Sequence, residues 1–551
     1  MSDYKEATIG GVLKETVEKF PKYEALVYPD TGLRQDYTEF YNSCRAVAKG
    51  FMALGVEKGD HVSVWTTNLP EWVYMQFGLS MIGAVLVTVN TNYKSHELDY
   101  IVRQSDSTTL VLMEEYRDTN FYDITRKVIQ NLDDTEPGKV NWDKLPVLKN
   151  IVYIGDRKDT PGMFKFDDVV AMGKSISDEA LDARESVLDF HDVINMQYTS
   201  GTTGFPKGVM LTHYNIVNNA IMVGDVMGMT DSDRLLIHVP LFHCFGCVMS
   251  TLNCVTHGST MVVMEYFEPL KSLQAVQNEK ITAINGVPTM FIAMLNHPDF
   301  EKYDMKSLRT GIMAGAPCPV ETMNQVRTKM HCKDVVIAFG QTECSPVMTM
   351  TRMDDPVELR VSTVGRLLPG VAGMIIDPET GDEMPVGEQG EIVTRSACVM
   401  KGYYKMPEAT EKTIDSEGWL HTGDLGTMDQ QGYFKVTGRI KDMIIRGGEN
   451  IYPREIEEFL LTNPRVQDVH VVGIPDEKYG EQVLAAIQLR NGEKVTGEEM
   501  VEFCTGNIAR HKIPRYWEFV DEFPMTASGK VQKYKLRDMF AEKYDASTAS
   551  V

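Results

Sequence analysis

The chain has 551 residues and a formal net charge of −23, from 55 Lys and Arg against 78 Asp and Glu. A chain of this length exceeds one ordinary hydrophobic core, so two or more domains are expected. The charge argues against general binding to nucleic acid or to anionic membranes, since either needs a basic face. A local basic patch for a phosphorylated ligand stays open.

The sequence shows no mark of export or of membrane insertion. Its first residues, MSDYKEATIGGVL, lack the basic segment and apolar run of a secretory signal. No stretch approaches the roughly 18 apolar residues of a membrane span. The nine cysteines are scattered and odd in number, which fits reduced thiols better than disulfides. We therefore expect a cytoplasmic protein with no integral membrane segment and no nucleic-acid partner.

From about residue 60 to residue 345, short β-branched runs alternate with helical patterns. HVSVWTTN leads through EWVYMQFGLSMIG to AVLVTVN, and VINMQYTS, RLLIHVPL, STMVVMEY, ITAING and DVVIAFG follow as further strands. This alternation predicts layered α/β structure on largely parallel sheets. In such sheets ligands bind at the carboxyl ends of the strands.

The pattern changes twice in the last third of the chain. Residues 368–438 show short strands and frequent turns, which predict a small antiparallel β subdomain. A compact α+β tail follows, with helical REIEEFLL, strand-like DVHVVGI and helical GEEMVEFCTGNIARH. We predict a large N-terminal domain of layered βα subdomains with the β subdomain at 1–438, a hinge at 439–442, and a small mobile α+β domain at 443–551.

One segment, YTSGTTGFPKG at residues 198–208, has the composition of a phosphate-binding loop. Its small residues let the backbone approach phosphate oxygens, and Lys207 adds a positive charge. It does not fit the G-x-x-x-x-G-K-[ST] pattern, because Gly204 precedes Lys207 by three residues and Gly208 follows it. Taken alone, such a loop is equally compatible with a flexible surface turn.

Three later segments carry candidate chemistry. AFGQTE follows the strand DVVI and offers an aromatic ring for a purine and a carboxylate for a hard cation. GWLHTGDLG contains Asp424, a carboxylate that can accept from a vicinal diol. TASGK ends in Lys530, and a Lys after Gly in a loop is by itself an ordinary surface feature. Their order after the Gly-rich loop makes the set specific.

These motifs, in this order from Tyr198 to Lys530, resemble the adenylate-forming superfamily of acyl-CoA synthetases, luciferases and peptide-synthetase adenylation domains. The resemblance implies an enzyme, an acid–thiol ligase that activates a carboxylic acid with ATP to acyl-AMP plus pyrophosphate and then transfers the acyl group to coenzyme A. It implies ATP, Mg²⁺ and coenzyme A as cofactors, and a C-terminal domain that rotates between the two steps.

The resemblance also assigns nucleotide contacts. Phe339 would stack on adenine, Thr342 would donate to the α-phosphate, and Glu343 would help to hold Mg²⁺. Asp424 would bind both ribose hydroxyls, and Arg439 would contact ribose or phosphate. The full nucleotide-binding set is Thr199, Ser200, Gly201, Thr202, Thr203, Gly204, Lys207, Gly315, Ala316, Pro317, Phe339, Gly340, Gln341, Thr342, Asp424 and Arg439.

By the same resemblance, Lys530 bridges the acyl carboxylate and the α-phosphate, where a positioned ammonium offsets the charge that builds up as two anions meet. The catalytic candidates are Lys530, Thr342, Glu343 and His243. Lys441 occupies the family hinge position. Gly447 and Gly448 would line a narrow passage for the pantetheine arm of coenzyme A, where side chains would block it.

The acid is predicted from the segments that should line the acyl pocket by resemblance. These segments are 243–249, 285–288 and 315–317 with Gly340. The first carries no acidic residue for a substrate ammonium, and acetate-specific relatives place a Trp where this chain has Gly340. An open apolar pocket favours longer acids, since each buried methylene adds about 0.8 kcal/mol. We expect a medium-chain fatty acid, with short-chain, aromatic and alicyclic acids left open. The predicted acyl-pocket residues are His243, Phe245, Val248, Met249, Val287 and Gly340.

Other functions are open at this stage. A free-standing acyl-AMP ligase that loads a carrier protein would use the same adenylation residues, and a luciferase-like oxygenase shares the first half-reaction. A nucleotide-binding relic would have lost Lys530, Glu343 or Asp424, and all three are present. A homodimer is left open, as is a lysine acyltransferase or deacylase acting on Lys530, since acylation would neutralise its charge.

A CxxC pair offers a different chemistry. Cys244 and Cys247 lie beside His243, with Cys254 and His257 farther on, so a zinc or redox site is conceivable. No second CxxC occurs and the surrounding run is apolar, which favours buried, inert cysteines.

Overall fold

The computed structural model describes residues 4–199, 206–316, 318–447, 449–476, 478–526 and 530–548. These residues form 28 β-strands and 18 α-helices. The strands are β1 Glu24–Tyr28, β2 Leu33–Asp36, β3 His61–Trp65, β4 Val85–Thr88, β5 Ser107–Met113, β6 Glu115–Tyr116, β7 Thr119–Asn120, β8 Asn150–Ile154, β9 Phe164–Lys165, β10 Val193–Thr199, β11 Lys207–Thr212, β12 Arg234–Ile237, β13 Thr260–Val263, β14 Ala283–Gly286, β15 Thr310–Ala314, β16 Asp334–Gly340, β17 Val347–Met350, β18 Arg366–Leu367, β19 Ala372–Ile376, β20 Gly390–Arg395, β21 Gly402–Tyr403, β22 Leu420–Met428, β23 Phe434–Arg439, β24 Ile444–Arg446, β25 Glu449–Ile451, β26 Val466–Asp476, β27 Gly480–Leu489 and β28 Tyr516–Phe519.

The α-helices are α1 Ile9–Lys19, α2 Tyr37–Ala53, α3 Pro70–Ile82, α4 Ser95–Gln104, α5 Phe121–Val128, α6 Phe166–Met172, α7 Asp178–Glu185, α8 His213–Met227, α9 Cys244–Gly246, α10 Asn253–His257, α11 Pro269–Asn278, α12 Pro288–Leu295, α13 Val320–Thr328, α14 Val357–Ser362, α15 Pro407–Glu411, α16 Pro453–Leu460, α17 Gly497–Cys504 and α18 Lys533–Thr548. A π-helix spans Cys247–Leu252. The 3-10 helices are Leu132–Asp134, Gly173–Ser175, Phe300–Lys302, Thr342–Cys344, Ile440–Asp442 and Arg510–Lys512.

Two large sheets form the framework of the first of two compact units, Met1–Ala372 with Thr394–Leu420. The nine-stranded sheet has the order β18-β17-β16-β15-β14-β12-β13-β1-β2, and pairing is parallel from β16 to β1. The eight-stranded sheet has the order β21-β11-β10-β4-β3-β5-β8-β9, and pairing is parallel from β10 to β9. The predicted α/β class with largely parallel sheets is confirmed.

Burial explains why the sequences of these strands are apolar runs. The strands β13, β14 and β15 are buried at every position, as strands covered on both faces are. One apolar cluster joins these strands to α11, α12 and α13, with Leu273, Phe291 and Met323 fully buried. A second cluster joins β3, β4, β5 and β8 to α4 and α5 and contains Trp65 and Phe121.

Local signals set the ends of the helices that flank the sheets. Thr212 caps α8 by accepting from the N–H of Asn215 at 3.1 Å, and the Asn215 side chain accepts in return from the N–H of Thr212 at 2.8 Å. The helix ends at Gly228, which has φ +64°. Helix α3 begins at Pro70 and ends before Gly83, with φ +74°.

The second unit comprises Gly373–Val393 and His421–Val551. It holds most of a four-stranded sheet of order β19-β20-β22-β23 and a sheet of order β25-β24-β27-β26 in which β28 pairs with β27. The predicted hinge at 439–442 lies inside this unit, at the end of β23, and stays a prediction. Among the described helices, none combines the length and apolarity needed to cross a bilayer.

One predicted helix was too long. The pattern GEEMVEFCTGNIARH predicts a helix over residues 497–511, whereas α17 ends at Cys504. Thr505 leaves the helical conformation with ψ 124°, and Gly506 takes φ +82°. A glycine in the left-handed region ends the helix although apolar periodicity continues to Ile508.

Candidate active site

Four adjacent parallel strands bring the predicted site segments to one edge of the nine-stranded sheet. The strands are β12, β14, β15 and β16, and their carboxyl ends lie side by side because their pairing is parallel. This is the edge at which α/β sheets bind ligands. The predicted residues at the ends of these strands, or in the segments that follow them, are His243, Phe245, Val248, Met249, Val287, Gly315, Ala316, Phe339, Gly340, Gln341, Thr342 and Glu343. Pro317 lies outside the described residues.

The Gly-rich loop joins two paired strands of the other large sheet. β10 ends at Thr199, β11 begins at Lys207, and these two residues are register partners in an antiparallel pair. The strand predicted directly before the loop is therefore present. The loop residues Ser200, Gly201, Thr202, Thr203 and Gly204 lie outside the described residues, so their predicted phosphate contacts stay predictions.

The Glu343 carboxylate is held by a residue that the sequence did not indicate. Glu343 is 8% exposed, and its Oε1 accepts a hydrogen bond of 2.7 Å from the hydroxyl of Tyr403. The ammonium of Lys207 lies 3.8 Å from the centroid of the same tyrosine ring. Burial and the neighbouring Glu343 raise the pKa of Tyr403 well above its ordinary value, so the hydroxyl stays a donor.

Strand pairing explains how Tyr403 reaches this position. It lies on the short strand β21, which pairs with β11 through Val209 and Tyr403. The segment GYYK carries no catalytic pattern in the sequence. Tyr403 could have been predicted as a site residue only if the register between β21 and β11 had been known. One aromatic side chain thus links the predicted metal ligand to the predicted phosphate-binding lysine.

Gly340 is constrained by the main chain. A Cβ added there would lie 2.0 Å from the carbonyl oxygen of Pro346 and 3.0 Å from the backbone nitrogen of Met348. The sequence argument linked Gly340 to an open acyl pocket. The structure adds that the backbone of the β16–β17 turn excludes any side chain at this position, whatever the acyl group is.

The predicted acyl residues on the segment after β12 are buried. Phe245, Val248 and Met249 are 7%, 0% and 3% exposed, and Val287 at the start of α12 is 6% exposed. His243 lies at the N-terminus of α9, where its Nδ1 accepts from the backbone N–H of Phe245 at 3.2 Å. The structure therefore supplies apolar side chains where an acyl chain is predicted.

The CxxC cysteines show no sign of a metal site. Cys244 and Cys247 are buried and free of disulfides, and burial is the main cause that raises the pKa of the Cys244 thiol well above its ordinary value. His257, another candidate ligand, lies 3.0 Å from the carbonyl of Asn253 and 3.4 Å from Asp225. Within the described ranges, no group of three or more His, Cys, Asp or Glu side chains is arranged to hold a metal ion.

In the second unit, the buried Asp424 forms an ion pair with the exposed Arg439. They are register partners on β22 and β23, and Nε of Arg439 donates to Oδ1 of Asp424 at 2.6 Å. Asp424 is 3% exposed, and its Oδ2 is buried with no hydrogen-bond partner in the part of the chain that the structure describes. Burial raises the pKa of Asp424, while Arg439 and, to a smaller extent, Lys530 lower it.

The remaining predicted residues lie at exposed positions of the second unit. Lys530 is exposed, and its backbone N–H donates to Oγ1 of Thr526 at 2.9 Å. Lys441 is exposed in the 3-10 turn Ile440–Asp442. Gly447, with φ +60°, forms the turn between β24 and β25. Gly448 lies outside the described residues.

Comparison with known proteins gives consistent matches along the chain. A family model described as AMP-binding enzyme matches residues 13–404, and one described as AMP-binding enzyme C-terminal domain matches residues 455–530. The Bacillus subtilis (strain 168) protein named putative acyl-CoA synthetase YngI is 52% identical over 549 residues, 100% of both chains. The Mus musculus protein named medium-chain acyl-CoA ligase ACSF2, mitochondrial, is 40% identical over 97% of this chain and 88% of its own. The crystal structure of ATP-bound MatB from Rhodopseudomonas palustris is similar with a TM-score of 0.84 and 28% identity, over 98% of this chain and 100% of its own.

Proposed function

We propose a reaction for this protein from one premise: the chain belongs to the AMP-binding enzyme family. It is an enzyme of the acid–thiol ligase type, an acyl-CoA synthetase that uses ATP. In the proposed reaction, a carboxylate oxygen of the acid attacks the α-phosphorus of ATP and pyrophosphate leaves. The thiol of coenzyme A then attacks the carbonyl carbon of the acyl-adenylate, and AMP leaves.

The observation that carries the proposal is the buried carboxylate of Asp424. A buried carboxylate oxygen without a donor costs free energy, so it points to a ligand that supplies one. A ribose diol does so, because each hydroxyl can donate to the carboxylate. Arg439 is paired with the same side chain, and Lys530 is near enough to lower its pKa, so cationic groups accompany the acceptor. This arrangement supports binding of a nucleotide.

The proposed Mg²⁺ ligand, Glu343, fits a hard cation. Its carboxylate offers oxygen atoms, the ligand type that Mg²⁺ prefers, and Tyr403 holds one of them in place. Mg²⁺ bound there would offset the negative charge of the triphosphate. On the protein side, Lys207 and the Gly-rich loop would bind the phosphates and Thr342 would donate to the α-phosphate.

Lys530 would supply positive charge where the acid meets ATP. Its exposed position in the second unit suits a group that engages for adenylation and withdraws for thioester formation, with Lys441 as the proposed hinge. Gly447 and Gly448 would then admit the pantetheine arm. Because acylation would neutralise Lys530, enzymes that acylate or deacylate this residue are proposed partners.

We propose a medium-chain fatty acid as the substrate. The buried apolar side chains of Phe245, Val248, Met249 and Val287 support it, since each methylene transferred from water adds about 0.8 kcal/mol. A relative at 40% identity carries the name medium-chain acyl-CoA ligase. Short-chain, aromatic or alicyclic acids, and transfer to a carrier protein in place of coenzyme A, are the alternatives.

A pyrophosphate-release screen tests the substrate. Straight-chain acids of two to twelve carbons, benzoate and cyclohexanecarboxylate are each supplied with ATP and Mg²⁺, with and without coenzyme A. We expect the highest kcat/KM among the medium-chain acids and acyl-CoA as the product. A strong preference for acetate would contradict the pocket argument, and product formation only with a carrier protein would favour the loading alternative.

A lysine substitution tests the two-step chemistry. Lys530→Ala should abolish acyl-adenylate formation and leave thioester formation from supplied acyl-adenylate largely intact. Lys535→Ala, which removes another exposed lysine at the start of α18, is the matched control. Equal loss of both half-reactions in Lys530→Ala would refute the assigned role.

A further inference from the structure

The π-helix Cys247–Leu252 carries two of the proposed acyl-pocket residues, Val248 and Met249. The N–H of Asn253 donates to the carbonyl of Val248, five residues back, which is the π pattern. Such segments are rare, and they occur mostly as single turns at functional sites. Conversion to the α pattern would change the directions in which Val248 and Met249 point.

Buried side chains donate to three alternate carbonyls, one in α9 directly before the π-helix and two within it. Oγ of Ser250 donates to the carbonyl of Phe245 at 2.8 Å. Nε2 of Gln76 donates to the carbonyl of Cys247 at 2.7 Å. Nδ2 of Asn285 donates to the carbonyl of Met249 at 3.1 Å. Each carbonyl is thereby held by a partner outside the backbone ladder.

Gln76 and Thr251 cross-link one turn of the segment. The hydroxyl of Thr251 lies 2.7 Å from Oε1 of Gln76 and 2.8 Å from the carbonyl of Cys247, and it can donate to either. Gln76 lies on α3, far from the segment in sequence, and is 4% exposed, while Thr251 is fully buried. With water excluded, loss of one partner leaves the other group unsatisfied, so the bonds act as a set.

Asn285 ties the same segment to the edge of the sheet. Its Nδ2 also donates to Oγ of Ser250 at 3.2 Å, and its Oδ1 accepts from the N–H of Ile312 on β15 at 3.0 Å. Asn285 itself lies on β14 and is fully buried. The π-helix is therefore fixed against α3 on one side and against the carboxyl edge of β14 and β15 on the other.

We infer that Gln76, Thr251 and Asn285 are positioning residues that hold the π-helix in register and so determine which acids the pocket accepts. This inference rests on the proposed function, because it needs an acyl pocket lined by Val248 and Met249. All three residues are buried and bond to groups of the π-helix. Their effect reaches the acid through the orientation of the π-helix side chains.

Thr251→Val tests the inference, because it replaces a hydroxyl with a methyl group of similar size. The readouts are KM and kcat for each acid of the chain-length series, KM for ATP, and the thermal unfolding midpoint. We expect KM for the preferred acid to rise about fivefold or more, or the preferred chain length to change, with KM for ATP within about twofold of wild type. Thr251→Ser, which keeps the hydroxyl, should restore the wild-type profile.

Thr16→Val is the matched control. Oγ1 of Thr16 is also buried and donates to the carbonyl of Val255 on α10 at 2.8 Å, outside the π-helix. It should lower stability without changing the acid profile. Ser250→Ala is examined in parallel, so that the test stands if Thr251→Val does not fold, and it should change the profile in the same way.

Two results distinguish failure of the proposed function from failure of this inference. A wild-type enzyme that releases pyrophosphate with none of the acids would refute the proposed function. An active wild type together with folded Thr251→Val and Ser250→Ala variants that keep the wild-type acid profile, or that raise KM for acid and ATP equally, would refute this inference alone.

Discussion

Tyr403→Phe removes the only hydroxyl that donates to Glu343 among the described residues and keeps the aromatic ring under Lys207. A hydrogen bond to a charged group contributes about 1.5–3 kcal/mol. If that free energy orients the carboxylate for Mg²⁺, its loss corresponds to about a 10- to 150-fold fall in kcat/KM for Mg·ATP. The unpaired buried oxygen of Glu343 should also lower the free energy of unfolding by about 1–3 kcal/mol.

Tyr403→Leu separates the hydroxyl from the ring. This variant loses both the hydrogen bond and the cation–π contact with Lys207, and such a contact contributes about 0.5–2 kcal/mol. We therefore expect a further fall in kcat/KM beyond Tyr403→Phe. The assay is pyrophosphate release at saturating acid, with Mg²⁺ titrated at fixed ATP, beside thermal unfolding of each variant without ligand.

The outcomes distinguish a functional role from a structural one. A Tyr403→Phe enzyme with a lower unfolding midpoint but a Mg²⁺ dependence within about twofold of wild type would refute the positioning argument. Equal kcat/KM in the Phe and Leu variants would show that the ring does not position Lys207.

Further predictions follow from particular contacts. Asp424→Asn should raise KM for ATP and raise the unfolding midpoint of the ligand-free enzyme at neutral pH. Burial raises the folded-state pKa of Asp424 above its unfolded-state pKa. The ionised carboxylate therefore destabilises the fold increasingly as pH rises from the unfolded-state pKa through the folded-state pKa. The amide of asparagine does not ionise, so the variant lacks this destabilisation. The expected midpoint gain should shrink in acid; an unchanged gain would contradict this account. Gly340→Ala should lower the free energy of unfolding by about 1–3 kcal/mol, because its Cβ would meet the Pro346 carbonyl oxygen at 2.0 Å; a denaturant curve equal to wild type would contradict it. Cys244 should react with iodoacetamide far more slowly in the native protein than in denaturant, since it is buried and its thiol pKa is raised.

The sequence predicted the α/β class and most of its strands because buried parallel strands are continuous apolar runs. DVVIAFG, for example, coincides with β16 from Asp334 to Gly340. The end of α17 was predicted wrongly, because apolar spacing continued after the backbone had left the helical conformation at Thr505. Periodicity reports the side chains that face the core, whereas a helix end is set by backbone dihedrals.

The candidate chemistry was also readable from the sequence, since each motif is a short contiguous segment. Lys207, Glu343, Asp424 and Lys530 were identified by residue type and by order along the chain. Their proposed roles stay predictions. The structure shows directly that Asp424 is paired with Arg439, another predicted nucleotide-binding residue.

Tertiary structure alone decided which residues contact the candidate site residues. Tyr403 meets Glu343 only through the register of β21 on β11, and Gln76 meets Cys247 only because α3 packs beside the π-helix. Likewise, the carbonyl of Pro346 constrains Gly340 through the fold of one turn. Such contacts depend on the relative placement of separate elements, which no local pattern encodes. By itself the sequence determined the type of reaction, and the packing determined how the candidate site residues are held.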